Sequence, residues 1–556
     1  MIKSKIRKIH LLLIILIFFA GTFTRINGLG KIPAGLTNDE ANTGYDAYSI
    51  LKTGKDQWGD TQPNVYLRGF GDYRPSLYTY ALIPSVEIFD LNAFSVRLPA
   101  AIAGSLTIIL VFTLSLLLWD SIPVAIIAMS LLAFNPWHIA MSRVGIESTF
   151  AVFLMVFALN LFLIGIRKRI WFYASALFFA LTIYTYTAYI IFIPLFLGVL
   201  LFINRKKFLN KKALLIFLFI FFILLFPLIV RGLFKTASAR SHQVNLTQDI
   251  GIINNVNEKR GECKIVFNGR LCQVFQNKFS AFAFTFISNY LNHFSPELLV
   301  NVGTKTQYSV LQERGLLYAF EYIFFLIGFV FLFRKKGSVK FILLFWILLA
   351  PLPDSITGSG HYSRYVLILP ALQLIGAIGM YETWMFFGKK KWVMLPVFII
   401  ALYEITAFLI TYWSYFPVFY SRYSHYGYKN LMEYVKTNEN KYDKIIISSS
   451  VNDTKQYIFY LFYTKYDPYL YQSGRGIEKK VEENGWVRVE KIGNVFFLPS
   501  IDLNLLYAEK PLPNILLIGA PVEFVKTIKA EYQIKDLKKD VLFDTVELKK
   551  NPKFTY

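Results

Sequence analysis

Two adjacent carboxylates, Asp39 and Glu40, are the strongest candidates for chemistry in this chain. They follow the first apolar segment and open a long polar loop, where charged groups beside a bilayer are costly to desolvate. Such a carboxylate either accepts the proton of an attacking hydroxyl or binds a divalent cation. The alternative interpretation is a solvated loop whose acidic residues cap a helix. The loop is acidic overall, with eight carboxylates against five lysines or arginines in residues 28–94.

Cationic side chains recur near the ends of apolar segments on one predicted face of the membrane. They are Arg74, Arg97, Arg143 and Arg364. A guanidinium group binds phosphate oxygens through two parallel hydrogen bonds, so this set suits a phosphate or pyrophosphate. His138 and His361 lie close by in sequence and are predicted donors to the same phosphate. Alternatively, each arginine extends to the phosphates of membrane lipids.

Tyrosines mark one end of the fifth apolar segment, at positions 184, 186 and 189. The favoured interpretation is an interfacial aromatic belt, and the alternative is a platform on which a sugar stacks. Tyr186, together with Tyr45 and Asp72 of the acidic loop, is predicted to bind substrate. A requirement for a divalent metal ion is left open, with Asp39, Glu40 and His361 as its candidate ligands.

The only two cysteines, Cys263 and Cys272, lie in one predicted external loop with eight residues between them. On an oxidising side of the membrane this spacing predicts a disulfide that closes a local hairpin, and two free thiols are the alternative. A zinc site is disfavoured because no pair of histidines lies nearby in sequence.

The elements that position these residues are membrane helices. The chain has 556 residues, of which 55% are hydrophobic and 17% charged, and its mean hydropathy is +0.44. These values predict a polytopic membrane protein and exclude an ordinary soluble enzyme. The net charge of +23 is concentrated in short loops between apolar segments, which indicates topology rather than nucleic-acid binding.

We predict about eleven transmembrane helices, the first of which is retained rather than cleaved as a signal peptide. They span about 9–27, 95–118, 122–137, 147–165, 170–187, 189–203, 213–231, 316–333, 339–353, 364–387 and 392–413. Basic residues precede the first span and follow the fourth, sixth, eighth and tenth. The positive-inside rule therefore places the N-terminus in the cytoplasm, and the loops at about 28–94 and 232–315 outside.

After the last span comes a polar, external tail that reads as a small α/β domain. Strands are predicted at 444–448, 494–498 and 514–518, with helices at 453–464 and near 522–530. The predicted domains are thus a membrane module at 1–413 and an external domain at 414–556. The fold class is mainly α, with a large first external loop.

Several short motifs, in their order along these spans, resemble the GT-C glycosyltransferases. The closest similarity is to the bacterial family 39 group, kin to protein O-mannosyltransferases and to the aminoarabinose transferase of lipid A. The motifs are Asp39-Glu40, Arg74-Pro75, Arg97-Leu98-Pro99, Asn135-Pro136-Trp137-His138, Ser142-Arg143, Asn292-His293-Phe294-Ser295-Pro296 and Gly315-Leu316-Leu317-Tyr318. The resemblance covers roughly residues 5–430. Relatives often have two prolines where this chain has Pro75-Ser76.

The resemblance implies an inverting transfer of a hexose or pentose from a polyprenyl-phosphate donor to an acceptor hydroxyl on the external face. By position, Asp39 would be the general base and Glu40 would orient the acceptor or assist. Arg74, Arg143 and Arg364 would bind the donor phosphate. A lipid-phosphate leaving group departs as an anion, so cations rather than a strong acid are expected around it.

The implied partners are the lipid-linked sugar, the bilayer and an acceptor that is a protein, a lipid or a glycan of the cell envelope. The implied location is the cell membrane. Three other classes compete with the transferase: a flippase for lipid-linked glycans, a polysaccharide polymerase or ligase, and a scaffold without catalysis. A flippase is disfavoured because the predicted spans are nearly free of charged residues.

Overall fold

The structure is a computed structural model of the chain. It describes residues 6–207, 211–231, 250–267, 269–301, 311, 314–334, 337, 339–357, 361–449, 455–482, 486–502, 506, 513–524 and 530–548. The chain folds into two compact units. The first contains residues 1–27, 100–142 and 147–408, and the second contains residues 28–99, 143–146 and 409–556.

Helices dominate the described part of the chain, and most strands lie in its last quarter. In chain order, the helices are α1 (Lys8–Ile26), α2 (Asn38–Thr53), α3 (Leu77–Phe89), α4 (Ala93–Trp119), α5 (Ile122–Phe134), α6 (Pro136–Ser142), α7 (Glu147–Gly165), α8 (Arg169–Ile183), α9 (Tyr189–Asn204), α10 (Lys211–Arg231), α11 (Ile250–Val266), α12 (Gly269–Phe275), α13 (Lys278–Asn292), α14 (Ala319–Arg334), α15 (Val339–Leu349), α16 (Leu352–Ser355), α17 (Tyr362–Tyr365), α18 (Leu369–Phe386), α19 (Lys391–Trp413), α20 (Tyr415–Tyr423), α21 (Tyr428–Asn438), α22 (Gln456–Thr464) and α23 (Pro468–Ser473). The strands are β1 (Tyr66–Arg68), β2 (Tyr73–Pro75), β3 (Lys444–Ser448), β4 (Ile477–Val481), β5 (Val487–Ile492), β6 (Val495–Leu498), β7 (Ile515–Gly519), β8 (Tyr532–Lys535) and β9 (Val541–Leu548).

Every predicted membrane span contains a helix, but the count of eleven transmembrane helices is not confirmed. Among the described residues, six helices are long and apolar enough to cross a bilayer, and α5 with α6 would make a seventh. Several others are short; α8 has 15 residues and α9 has 16. A helix of that length extends about 24 Å, against about 30 Å for the hydrocarbon core.

The third predicted span is broken rather than straight. Helices α5 and α6 meet at Asn135 with a bend of 57°. The residue that follows the break is Pro136, which lacks the N–H group that would continue the helical ladder. In the same unit, α14 and α18 pack closely at two glycines. A β-carbon added at Gly328 would overlap the carbonyl oxygen of Ile375, so only glycine fits there.

The second unit contains the first predicted external loop, which is folded rather than extended. It forms α2, the antiparallel pair β1–β2 and α3. Helix α2 starts at the capping residue Thr37 and ends at Gly54, whose φ of 71° is the left-handed conformation that favours glycine. This unit contains both the loop and the tail, whereas the predicted domain boundary at residue 413 separates them.

The tail is a seven-stranded mixed sheet in the order β4-β5-β6-β3-β7-β9-β8. Only the central strand β3 pairs in parallel, with β6 on one side and β7 on the other. Strand β7 is buried along its whole length, as expected for the interior of a covered sheet. The prediction of a small sheet domain is therefore confirmed, and residues 525–529 of the predicted helix near 522–530 lie outside the described residues.

Cys263 of α11 and Cys272 of α12 form a disulfide in the first unit. The Cys272 side chain is buried. The pair therefore joins two consecutive helices of the segment that was predicted as an external loop.

Candidate functional site

Asp39 lies in the first turn of α2, two residues after the capping residue Thr37. The Thr37 hydroxyl accepts a hydrogen bond from the Glu40 backbone N–H at 3.1 Å, and Glu40 Oε2 accepts one from the Thr37 N–H at 2.9 Å. This reciprocal capping box fixes the start of the helix. The Asp39 side chain is exposed, and its carboxylate bonds to no group in the described parts of the chain. It is thus available to a ligand.

Glu40 is buried and fully engaged with the protein. Its Oε1 accepts hydrogen bonds from Arg97 Nε at 2.7 Å and from the Gly145 backbone N–H at 2.8 Å. The side chain is 1% exposed. This geometry gives Glu40 a positioning role, because both carboxylate oxygens already accept hydrogen bonds from protein donors and neither faces solvent.

Arg97 completes this arrangement and has no N–H group left for a phosphate. Its Nη1 donates to the carbonyl oxygens of Leu29 and Pro33, at 3.1 and 2.9 Å. Its Nη2 donates to Gly35 O and to Glu40 Oε2, and its Nε donates to Glu40 Oε1. These contacts account for all five N–H donors of a guanidinium group. The suggestion that Arg97 holds a phosphate is therefore wrong.

Arg74 is also paired inside the protein. Its Nη2 lies 2.5 Å from Asp46 Oδ2, and both side chains are buried. Asp46 Oδ1 additionally accepts the Gln57 backbone N–H at 3.1 Å. Burial raises the pKa of the Asp46 carboxyl group, and the Arg74 charge opposes that rise. The predicted contact of Arg74 with a donor phosphate finds no support in this geometry, since Asp46 already balances its charge.

Arg143 is buried against two aromatic rings. Its guanidinium carbon lies 4.9 Å from the centre of the Trp413 ring and 5.7 Å from that of Tyr412. Its Nη2 donates to the carbonyl oxygen of Ile32 at 3.1 Å. The predicted phosphate contact of Arg143 stays a prediction.

The two substrate-binding predictions in the first external loop differ in outcome. Tyr45 is fully buried, and its hydroxyl donates to the Tyr466 carbonyl oxygen at 2.9 Å. It supports the fold, so its side chain does not face a substrate. Asp72 is half-buried in the turn between β1 and β2, where its carbonyl oxygen accepts the Gly69 N–H at 2.8 Å. Its role in binding stays a prediction.

In the first unit, His138 is buried beside a second cation, Arg25. His138 Nδ1 accepts a hydrogen bond from Arg25 Nη2 at 2.8 Å, which requires the proton on Nε2. Arg25 also donates to the carbonyl oxygens of Leu132 and Ala133, at 3.1 and 2.9 Å. Both carbonyls lie in the last turn of α5, just before the break between α5 and α6. This geometry gives His138 a structural contact, and direct binding of a phosphate stays a prediction.

A second polar constellation in the first unit contains Arg364 and His361. Arg364 Nη1 lies 3.5 Å from Asp354 Oδ1, and the His361 backbone N–H donates to Asp354 Oδ2 at 2.9 Å. His293 Nε2 contacts the same Oδ2 at 2.8 Å. The Arg364 side chain is 20% exposed while those of His293 and Asp354 are buried. The buried pair therefore supports a partly exposed guanidinium group.

The His293 ring lies between two acceptor groups. Its Nδ1 faces the Asn289 carbonyl oxygen at 2.7 Å, and its Nε2 faces the Asp354 carboxylate. A carbonyl oxygen only accepts, so Nδ1 carries a proton. Burial would raise the pKa of Asp354, but His293, Arg364 and the His361 N–H together lower it. The net effect lowers the pKa of the Asp354 carboxyl group, which favours its charged form.

Tyr186 belongs to the same constellation through Ser363. The Tyr186 and Ser363 hydroxyls are 3.0 Å apart, and Ser363 Oγ lies 2.8 Å from His361 Nδ1. The structure thus brings together three residues that the sequence marked as candidates, namely Tyr186, His361 and Arg364. Sequence reasoning missed the roles of His293, known only as part of a family motif, and of Asp354, which it did not single out. The two residues lie 61 positions apart in the chain, so no local sequence pattern indicates their contact.

Metal binding at Glu40 fits the geometry poorly, because its oxygens already accept hydrogen bonds from Arg97, Gly145 and Thr37. Among the residues that the structure describes, no group of three or more His, Cys, Asp or Glu side chains is placed to hold a metal ion.

Comparison with known proteins gives a partial match in sequence and a longer one in fold. Residues 73–230 match the family model described as dolichyl-phosphate-mannose-protein mannosyltransferase. No curated protein sequence matches the chain. The crystal structure of ArnT from Cupriavidus metallidurans bound to undecaprenyl phosphate is similar in fold, with a TM-score of 0.53. The match covers 97% of both chains, whose sequences are 12% identical.

The archaeal oligosaccharyltransferase AglB from Archaeoglobus fulgidus, in complex with an inhibitory peptide and a dolichol-phosphate, is 14% identical with a TM-score of 0.46. The match covers 82% of this chain and 63% of AglB, so the chain spans less than two thirds of that relative. The fold comparison therefore rests on ArnT. The family model over residues 73–230 and the similarity in fold to ArnT together support the GT-C resemblance seen in the sequence.

Proposed function

We propose that this chain is a membrane-embedded, inverting glycosyltransferase that moves a sugar from a polyprenyl-phosphate donor to an acceptor hydroxyl on the external face. The observation that carries the proposal is the Asp39 carboxylate. It is exposed at the start of α2 and unbonded in the described residues, while its neighbour Glu40 is locked to Arg97 at 2.7 Å. A base held this way keeps its position without losing its lone pairs to the protein.

The chemistry follows a single displacement. The acceptor oxygen forms a bond to the anomeric carbon from the face opposite the phosphate, and the bond between that carbon and the phosphate oxygen breaks. Asp39 takes the proton of the acceptor hydroxyl, and the departing electron pair stays on the lipid phosphate. Inversion at the anomeric carbon is the consequence of one displacement.

We assign Arg364 and His361 to the leaving phosphate. Arg364 is partly exposed, and its Nη1 donates a hydrogen bond to the Thr357 hydroxyl and forms an ion pair with Asp354. A fixed guanidinium group stabilises the charge that develops as the phosphate departs. The undecaprenyl phosphate named for the ArnT structure supports a lipid-linked donor for this chain. Multi-pass insertion in the cell membrane follows, with the N-terminus in the cytoplasm and the tail outside.

The test is sugar transfer by purified wild type and Asp39→Asn, with a panel of labelled polyprenyl-phosphate sugars and native membrane extract as acceptor. We expect the substitution to reduce transfer by about 10²- to 10⁴-fold, the usual contribution of a general base. Asp60→Asn is the matched control, because Asp60 is an exposed carboxylate of the same loop. Equal transfer by Asp39→Asn and wild type would remove Asp39 from the mechanism, and no donor consumption by wild type would refute the proposal.

A further inference from the structure

The second unit carries a cluster of cations packed against aromatic rings, which the proposed chemistry does not use. Trp58 lies between two of them, with the Arg68 guanidinium carbon 4.9 Å and Lys479 Nζ 4.8 Å from the centre of its ring. Lys479 Nζ also lies 4.8 Å from the Tyr471 ring. The Trp58 indole N–H donates to the Arg68 carbonyl oxygen at 3.0 Å, so the ring is fixed in place.

A third cation continues the same cluster. Lys455 Nζ lies 4.5 Å from the Phe70 ring and 4.6 Å from the Trp486 ring. Phe70 follows Arg68 by two residues, and its carbonyl oxygen accepts the Val487 N–H at 2.7 Å. The hairpin β1–β2 and the edge of the tail sheet therefore form one cationic, aromatic surface within this unit.

Two cations of this surface, Arg68 and Lys479, have no acidic partner among the described residues. Within the described residues, neither the Arg68 guanidinium nor the Lys479 ammonium makes an ion pair or a side-chain hydrogen bond. Nearby cations of the same sheet behave differently, since Lys491 pairs with Glu478 at 2.7 Å and Arg488 with Glu490 at 3.2 Å. Burial and then the Arg68 charge lower the pKa of Lys479.

Two like charges brought to one indole ring raise the free energy of the empty surface, and an anion between them would lower it. The free N–H groups of Arg68 and Lys479 would donate to carboxylate or phosphate oxygens, while aromatic rings provide apolar faces for sugar carbons. The unpaired Arg68 and Lys479 charges at the Trp58 ring therefore indicate a site for an anionic ligand.

This surface is connected to the proposed base through α2. Gln57, the residue before Trp58, donates its backbone N–H to Asp46 at 3.1 Å. Asp46 follows Asp39 by seven residues, which is about 10 Å along a helix axis. A glycan of a few sugar units covers such a distance.

We propose that the Trp58–Arg68–Lys479–Lys455 surface binds the acceptor, and that this acceptor is an acidic glycan whose sugars bear carboxylate or phosphate groups. The proposal rests on the proposed transferase function, because only that function makes the bound glycan an acceptor.

The test measures binding to the full chain in nanodiscs, with fluorescent hexagalacturonate and hexa(glycerol phosphate) as acidic probes and maltohexaose as the neutral probe. We expect one or both acidic probes to bind and maltohexaose not to bind. Arg68→Gln and Lys479→Gln should each weaken binding about tenfold, the loss of one charged hydrogen bond. Lys480→Gln is the matched control, because successive side chains of a strand point to opposite faces.

The binding proposal fails if Lys479→Gln and Lys480→Gln bind the acidic probe equally, or if maltohexaose binds as tightly as hexagalacturonate. Thermal unfolding of each variant checks that the fold is kept. The Asp39→Asn variant separates this proposal from the proposed function: it should bind the acidic probe like wild type while losing transfer. Probe binding that is intact in a chain without any transferase activity would leave an acidic-glycan site and refute the acceptor role.

Discussion

The buried pair of Glu40 and Arg97 predicts a large, local loss of stability on Glu40→Gln. The glutamine side chain keeps the shape and still accepts the Gly145 N–H, but it leaves the Arg97 charge buried without a counter-charge. Removing one partner of a buried ion pair costs about 3–5 kcal/mol. The cost should fall on the start of α2, where the Glu40 carboxylate also accepts the Thr37 N–H.

Hydrogen exchange of the α2 backbone amides measures this loss directly. A local loss of about 3–5 kcal/mol lowers protection by about two to four orders of magnitude. Asp39→Asn is the control, since the exposed Asp39 side chain bonds to nothing in the described residues and its exchange should stay within about threefold of wild type. Glu40→Gln should also lower sugar transfer, because a displaced base loses its alignment with the acceptor.

The double variant Glu40→Gln/Arg97→Gln tests the coupling. Because the Arg97 change already removes the buried charge, the two losses should not add, and the interaction energy should exceed about 1 kcal/mol. A loss below about 1 kcal/mol for Glu40→Gln alone, or simple additivity, would refute the reasoning. It would mean that water reaches Arg97 and replaces the carboxylate.

Three further predictions concern other parts of the chain. Arg364→Gln should raise the KM for the lipid-linked donor at least about tenfold. Arg364→Lys should raise this KM less, because lysine supplies the charge without the paired donors. Equal KM values for wild type and both variants in initial-rate assays would contradict this prediction. Burial, and then the Asp46 charge, raises the pKa of Asp56 to about 7. The folded state therefore keeps a proton that the unfolded state releases, and the free energy of unfolding falls as pH rises from about 4 to 7. Asp56→Asn should therefore gain stability over wild type between about pH 5 and pH 8 in parallel unfolding curves, and a constant difference would count against it. Gly328→Ala should cost at least about 1–3 kcal/mol of stability in detergent unfolding, because the added β-carbon would overlap a carbonyl oxygen. Gly198→Ala is the control and should be nearly neutral, because a β-carbon there meets nothing within 4 Å. Similar losses for the two variants would refute the packing argument.

Sequence patterns predicted the elements well where the signal is local. Apolar runs located the membrane helices, a β-branched run located β3, and short apolar runs located β6 and β7 of the tail. The segment Thr37–Glu40 also carried a local signal that was available, because a threonine three residues before a glutamate is a capping box. That signal assigns Glu40 to the helix start, in keeping with its buried position.

The partners of the cations could not be predicted, because they lie far apart in sequence. Arg97 meets Glu40 across 57 residues, and Arg74 meets Asp46 across 28. Position near the end of a span marked both arginines as candidates for a phosphate, yet tertiary pairing decides whether a guanidinium group has free donors. Arg364 keeps partial exposure because its acid, Asp354, is shared with His293.

The hydrogen bonds of Arg25 have a consequence for how the chain is made. This arginine lies near the C-terminal end of α1, and three of its acceptors lie 107 to 113 residues later, around the break between α5 and α6. During synthesis the first helix reaches the bilayer long before those acceptors exist, and an arginine without them is held at the water interface. The first helix therefore takes its final depth only after residues 132–138 have been inserted. Truncated chains that end before residue 132 should hold α1 closer to the interface than longer chains do.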